Sequence, residues 1–280
     1  MTIRILPIQT GTVRIKPSQV RAVGHGAERI ANLFADTTWT PWLPILAWVI
    51  VHPEGVMVVD TGENARSMEP GYYPEEHPYY KYALQVQVAP EEEIGAQLRA
   101  LGIAPASVRS VLLTHLHTDH CGGLQDLPQS TVWVHEREWA DAQGDAGLAK
   151  GYLPHRWPSW FAPTVYALAD DPIGPFARSQ RITADGSVRV VPTPGHTPGH
   201  VSVIVQSEGM HYFLGGDATY AEATMLEAVA DGLSPDEAEA VQTVQTIRSF
   251  VRDLPTVYLP THDERSVERL RAGQVTRVMR

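Results

Sequence analysis

The sequence predicts an α+β protein in which strands with appended helices occur twice over. Apolar runs such as "VRSVLLT" (108–114) and "VRVVPTPGHTPGHVSVIVQ" (188–206) are β-rich and bounded by Gly and Pro, as strands are. Two longer stretches, 89–103 and 234–251, place apolar residues at helical spacing behind acidic first turns. No repeat or low-complexity segment breaks this order, and 280 residues fit a single domain over 1–280. At that length about three-quarters of the unfolded surface can be buried.

Residues 1–15 alternate weakly and read as a first strand. "ILAWVIVHPEGVMVVDTG" (45–62) reads as strand, turn, strand, the turn being His52-Pro53-Glu54-Gly55. "APEEEIGAQLRALGI" (89–103) is a helix that Gly102 stops. "VRSVLLT" is a buried strand, "STVWVHE" (130–136) another, and "REWADAQ" (137–143) a short helix. Residues 145–180 are rich in Pro, Gly and aromatics without a clear period. A loop of that length inside a compact domain is commonly a binding loop or a lid. "HYFLGGDATY" (211–220) is a strand that runs into a turn. "SPDEAEAVQTVQTIRSFV" (234–251) is a helix with Ser234 as N-cap and Asp236-Glu237 in its first turn. "TVYLPTHD" (256–263) is a last strand ending in a histidine.

Composition narrows the partners. The net charge is −10 and no Lys/Arg run occurs, which counts against a nucleic-acid substrate. A single cysteine, Cys121, excludes an intramolecular disulfide and suits a reducing compartment. The N-terminus lacks a signal-peptide pattern, and the most apolar window, "WLPILAWVIV" (42–51), is too short to span a bilayer. The expectation is a soluble, cytoplasmic protein with no membrane partner.

The chemistry concentrates in "SVLLTHLHTDHCGGL" (110–124), where His115, His117, Asp119 and His120 fall together behind a buried strand. Alternate residues of an extended strand share a face, so His115 and His117 point the same way. Asp119 and His120 follow on a turn into the next helix. Imidazole and carboxylate suit zinc and other borderline first-row metals. The alternative is a surface turn that happens to hold several histidines. Other strand ends add His196, Asp217 and His262, each in a Gly- or Pro-containing turn. Together these suffice for two metals with open positions, the arrangement of a catalytic site.

"HLHTDH", "PGHTPGH", "GGD" and "THD", in this order, resemble the metallo-β-lactamase superfamily of metallohydrolases over nearly the whole chain, from "VVDTG" (58–62) to His262. The resemblance implies a four-layer αββα sandwich. It implies that His115, His117 and His196 bind one divalent ion, that Asp119, His120 and His262 bind a second, and that Asp217 bridges them. Zinc is the expected metal, with Fe, Mn and Co tolerated by the same ligand set. A bridging hydroxide is then the expected nucleophile, and Asp60 orients ligands. His200 is a packed histidine and not a ligand. Cys121 reads as a small residue at a helix start. His25, His52, His77, His135, His155 and His211 have no such context and read as structural.

Tyr220, three residues after Asp217, makes "GDATY" similar to the N-acyl-homoserine lactone lactonases of the superfamily, the quorum-quenching enzymes. There the tyrosine contacts the lactone over the metals and helps hold the oxyanion; a packed Tyr after a strand is the alternative. Asp119 has a second expected role, passing a proton to the leaving alkoxide. The aromatic loops 67–85 and 152–166 can supply an apolar wall for an acyl chain, or merely cover their own core. Another ester, thioester or organophosphate hydrolase is the alternative function. A homodimer is common among similar lactonases.

Overall fold

The β-rich runs become strands where the sequence predicts them. The computed structural model describes residues 3–278, which form two units: residues 3–15 with 39–166, and residues 16–38 with 167–278. Among the described residues no helix is long and apolar enough to cross a membrane.

The first unit carries a seven-stranded mixed sheet. Its strands are β1 (Arg4–Ile15), β2 (Leu43–His52), β3 (Gly55–Val59), β4 (Leu84–Gln87), β5 (Val108–Leu112), β6 (Thr131–His135) and β7 (Thr164–Tyr166), in the order β4-β1-β2-β3-β5-β6-β7. Positions 1 and 2 of the expected first strand lie outside the described residues. The register of β1 shifts between Gln9 and Thr12, at Gly11 with φ 110°. A Cβ there would come within 2.6 Å of the Gln87 carbonyl oxygen, so the glycine lets β1 approach β4. β3, β5, β6 and β7 run parallel, and Val59 pairs with Leu112, so β3 and β5 end side by side. Ile8, Val49, Val58 and Val111 are buried with Leu98 and Leu116 in one core cluster, and each such side chain stabilises the fold by roughly 1.5–3 kcal/mol.

Two expectations change in this unit. The helix read over 89–103 is Ile94–Ala100, preceded by a 3-10 turn at Pro90–Glu92. The Glu92 side chain accepts the Ala89 N–H at 2.8 Å, and Glu93 takes extended ψ 148°, which separates the two pieces. The stretch 145–180, read as irregular, holds β7, which pairs parallel to β6; three residues are too few to show a period.

The second unit carries a five-stranded mixed sheet of β8 (Gln180–Arg181), β9 (Val188–Pro192), β10 (Val201–Ser207), β11 (Met210–Gly216) and β12 (Thr256–Pro260), in the order β12-β11-β10-β9-β8. β11 and β12 are parallel and end together at Gly216 and Pro260. β9 and β10 form an antiparallel pair, with Pro192 opposite Val201, so their connection opens at the same sheet edge. Ile204, Phe213 and Tyr258 of this sheet pack with Ile247 and Phe250 of the helix Glu237–Asp253. The N-cap of that helix is Asp236, whose side chain accepts the Glu239 N–H at 3.0 Å; it is not Ser234. Ser234 is engaged elsewhere: its N–H goes to Asp231 and its carbonyl accepts from Arg29. The fold class is the one the sequence predicts, α+β with two mixed sheets.

Candidate active site

In the first unit the paired ends of β3 and β5 set the geometry. Asp60 takes φ 58°, a left-handed conformation that Asp tolerates better than most residues. Its Oδ1 accepts the Thr114 N–H at 2.8 Å and its Oδ2 accepts the Thr114 hydroxyl at 2.9 Å. The same Oδ2 lies 2.8 Å from His120 Nδ1. With Nδ1 held, His120 presents Nε2 as its donor atom. Asp119 Oδ2 lies 3.9 Å from that Nε2, on a side chain 21% exposed. His115 Nε2 and His117 Nδ1 stand 3.0 Å apart, so these two ring nitrogens face each other. Glu138, buried at the helix Glu136–Asp141, accepts the Leu116 N–H at 2.9 Å and fixes the segment between those histidines.

The helix Thr118–Cys121 is fastened to the loop after β3. The Thr61 N–H donates to the His120 carbonyl at 2.7 Å, and the Gly123 N–H to Gly62 at 3.2 Å. A Cβ on Gly122 would stand 2.5 Å from Glu63 Oε1, and one on Gly123 would stand 2.4 Å from the Thr61 carbonyl. Only glycine permits that approach. Glu63 is fully buried there and accepts from the Tyr73 hydroxyl and the Asn64 N–H, both at 2.9 Å. Burial pushes its carboxyl up to about 7, with the Asn64 N–H and the Thr118 hydroxyl opposing. Cys121 is buried, its Sγ 3.4 Å from the Leu116 carbonyl, and burial pushes the thiol up.

The two aromatic loops touch each other. Arg156 stands over the Tyr72 ring at 4.7 Å and donates to the Tyr72 and Gly71 carbonyls. Tyr73 stacks on Tyr80, whose hydroxyl donates to the Gly151 carbonyl at 2.5 Å. The Tyr152 ring lies 5.0 Å from that of His117, a candidate ligand.

In the second unit the candidate ligands leave one sheet edge. Asp217 follows β11, His262 follows β12, and His196 lies between β9 and β10. Asp217 Oδ1 is 3.4 Å from His262 Nε2, and Oδ2 is 3.7 Å from His196 Nε2. Each oxygen of one carboxylate therefore faces a different imidazole. His196 Nδ1 lies 3.1 Å from Asp231 Oδ2, while Asp231 Oδ1 accepts the Leu233 and Ser234 N–H groups at 2.7 Å. Burial alone would raise Asp231, but His196 and those two donors outweigh it and hold the carboxyl below its ordinary value. His200 is a packed histidine: Nε2 accepts the Asp217 N–H at 3.0 Å and Nδ1 meets Thr193. Asp263 steadies the turn of His262 by accepting from Arg269 at 2.7 Å and from the Glu222 N–H at 2.8 Å.

Tyr220 stacks on His262, with ring centroids 5.4 Å apart, and meets His196 edge-on at 6.0 Å. Its hydroxyl oxygen accepts from Gln19 Nε2 at 2.8 Å. Asp231, Gln19, Glu63 and Glu138 all escape the sequence reading. Asp231 accepts from the second and third residues after it, an Asx-type turn whose spacing is a signal; its hold on His196 has none. Imidazole and carboxylate donors, with His120 and His196 each oriented through Nδ1, fit divalent first-row cations.

The chain is similar to known proteins in sequence and in fold. The N-acyl homoserine lactonase AttM of Azorhizobium caulinodans is 28% identical over 274 residues, 93% of each chain. AttM of Agrobacterium fabrum is 26% identical over 273 residues, again 93% of each. Among solved structures, an N-acyl homoserine lactone hydrolase with the product N-hexanoyl-L-homoserine at its catalytic metal centre superposes with a TM-score of 0.74, at 18% identity and 96% coverage of both chains. AidC, a dizinc quorum-quenching lactonase, gives 0.66 at 13% identity, covering 94% of this chain and 88% of that one. These two likenesses are of fold. The metallo-beta-lactamase superfamily model matches residues 40–262, from just before β2 to the histidine after β12. A match of that extent, on strand ends that carry this donor set, settles the family: the chain belongs to the metallo-β-lactamase superfamily.

Proposed function

We propose that this protein is a metal-dependent lactonase that opens the ring of N-acyl-homoserine lactones. The observation that carries the reading is the extent of its likeness to the AttM lactonases, 93% of both chains. The family implies divalent metals. We assign two of them, zinc in the first instance, to His115, His117 and His196, and to Asp119, His120 and His262, with Asp217 common to both. The oxygens of Asp217 that face different imidazoles support the shared role. Bound there, divalent cations acidify water and polarise a carbonyl.

The protein's own residues do the rest. Asp60 and Asp231 orient His120 and His196 through their Nδ1 atoms. The Tyr220 hydroxyl donates to the lactone carbonyl oxygen as charge builds on it. As water adds to the carbonyl carbon, Asp119, partly exposed, takes the proton that the water gives up; the ring C–O bond then breaks and Asp119 returns that proton to the departing alkoxide. The product is an acyl-homoserine carboxylate with a free hydroxyl. The aromatic loops 67–85 and 152–166 wall the acyl chain. The family match spans parts of both units, which supports one catalytic domain over 1–280. A reducing cytoplasm and a homodimer complete the reading.

The deciding experiment assays metal-replete protein on acyl-homoserine lactones, thioesters and phosphoesters, with elemental analysis alongside. Lactone turnover with two metals per chain is expected. Fast thioester or phosphoester cleavage without lactone turnover overturns the substrate assignment.

A further inference from the structure

We propose that Gln19 is the positioning residue of Tyr220: its side-chain amide holds the phenol oxygen as an acceptor and so commits the phenol hydrogen to the substrate. The inference rests on the reading of Tyr220 as a substrate contact.

Gln19 lies on the short helix Pro17–Val20 and is 1% exposed; Tyr220 is 4% exposed. Gln19 Nε2 donates to the Tyr220 oxygen at 2.8 Å across a sequence separation of 201 residues. A phenol hydrogen lies in the ring plane and has two orientations there. An N–H aimed at the oxygen closes the one on its own side. An O–H whose oxygen already accepts is also the stronger donor, since hydrogen bonds in a chain polarise one another.

The backbone that carries Gln19 is anchored on both sides. The Gly232 N–H donates to the Gln19 carbonyl at 2.8 Å, and a Cβ on Gly232 would stand 2.2 Å from the Ser18 carbonyl oxygen. Ser18 is in turn held through its N–H and hydroxyl by Asp36, at 3.3 and 3.0 Å. Gly232 also adjoins Asp231, the carboxylate on His196. One backbone piece therefore orients a candidate ligand and, through Gln19, the hydroxyl above it.

The test is a double-mutant cycle on the full chain, with kcat and KM on an acyl-homoserine lactone, metal content and melting temperature for every variant. Gln19→Met has similar length and no amide; it should lower kcat about ten-fold and leave KM near wild type, a milder loss than the 10²–10³ typical when a donor is removed outright. Gln19→Glu turns the contact round, because a carboxylate accepts the phenol hydrogen, and kcat should fall further. If Gln19→Glu does not fold, Gln19→Met carries the test. In the Tyr220→Phe background Gln19→Met should change kcat by less than about two-fold, since the group it positions is gone. Additive losses, or a Gln19→Glu variant as active as wild type, overturn the inference. A Tyr220→Phe variant with wild-type kcat overturns the reading of Tyr220 itself, and a slowed Tyr220→Phe beside unaffected Gln19 variants overturns the Gln19 role alone.

Discussion

His120 is held by Asp60 at 2.8 Å, and Asp60 reaches it from a left-handed backbone position with φ 58°. The carboxylate and the bend are separable by mutation, because asparagine tolerates that conformation as well as aspartate does. In Asp60→Asn only one oxygen remains to serve the Thr114 N–H, the Thr114 hydroxyl and His120. Metal affinity should fall about 10- to 100-fold while the melting temperature of metal-free protein changes little. Titration against a competing chelator measures it, and unchanged affinity would remove Asp60 from the ligand-orienting role.

Asp231 makes the corresponding prediction in the second unit. Asp231→Ala removes the partner of His196 Nδ1 and the acceptor of the Leu233 and Ser234 N–H groups. Metal should be lost by a similar factor, about 10- to 100-fold, and in this case stability should drop as well, by about 1–3 kcal/mol for the donors left buried. Elemental analysis and denaturant melts separate the two effects.

Asp119→Asn tests the proton transfer. An amide can still offer an oxygen to a cation but cannot carry the proton, so metal content should stay high while kcat falls by about 10² or more. Near-wild-type turnover in Asp119→Asn rules that role out.

Glu63 predicts a pH dependence of stability in metal-free protein. Burial raises its carboxyl from 4.5 to about 7. The folded chain thus favours the neutral acid and the unfolded chain the carboxylate. Folding takes up a proton between those values, so the contribution of Glu63 is full below about 4.5 and is lost as pH rises through about 7. Glu63→Gln imitates the neutral acid and should flatten that fall, raising stability at pH 8 relative to wild type by on the order of 3 kcal/mol at most. Thermal melts across the window, with chelator present, would show parallel curves if Glu63 played no part.

What was legible in the sequence is what is local. His115, His117, Asp119 and His120 sit within six positions, and the strand period alone says that two of them share a face. Asp217 and Tyr220 are joined by one short spacing after an apolar strand. Gln19 and Asp231 reach partners 201 and 35 residues away, from a four-residue helix and a turn, so neither carries a period or a strand end to betray it. Ser234 has the chemistry of an N-cap, but its backbone is held by Asp231 and Arg29 ahead of the helix, and the Asp236 side chain caps it. The capping rule names the residue types correctly; tertiary contacts choose among them.

Gly122 and Gly123 lie against the loop of residues 61–64 with no room for a methyl group. Two stretches of backbone some sixty residues apart in sequence thereby act as one stiff strut. A change made on the loop, far from any donor atom by sequence, reaches the histidines as a displacement, so tolerance there is governed by what coordination will bear.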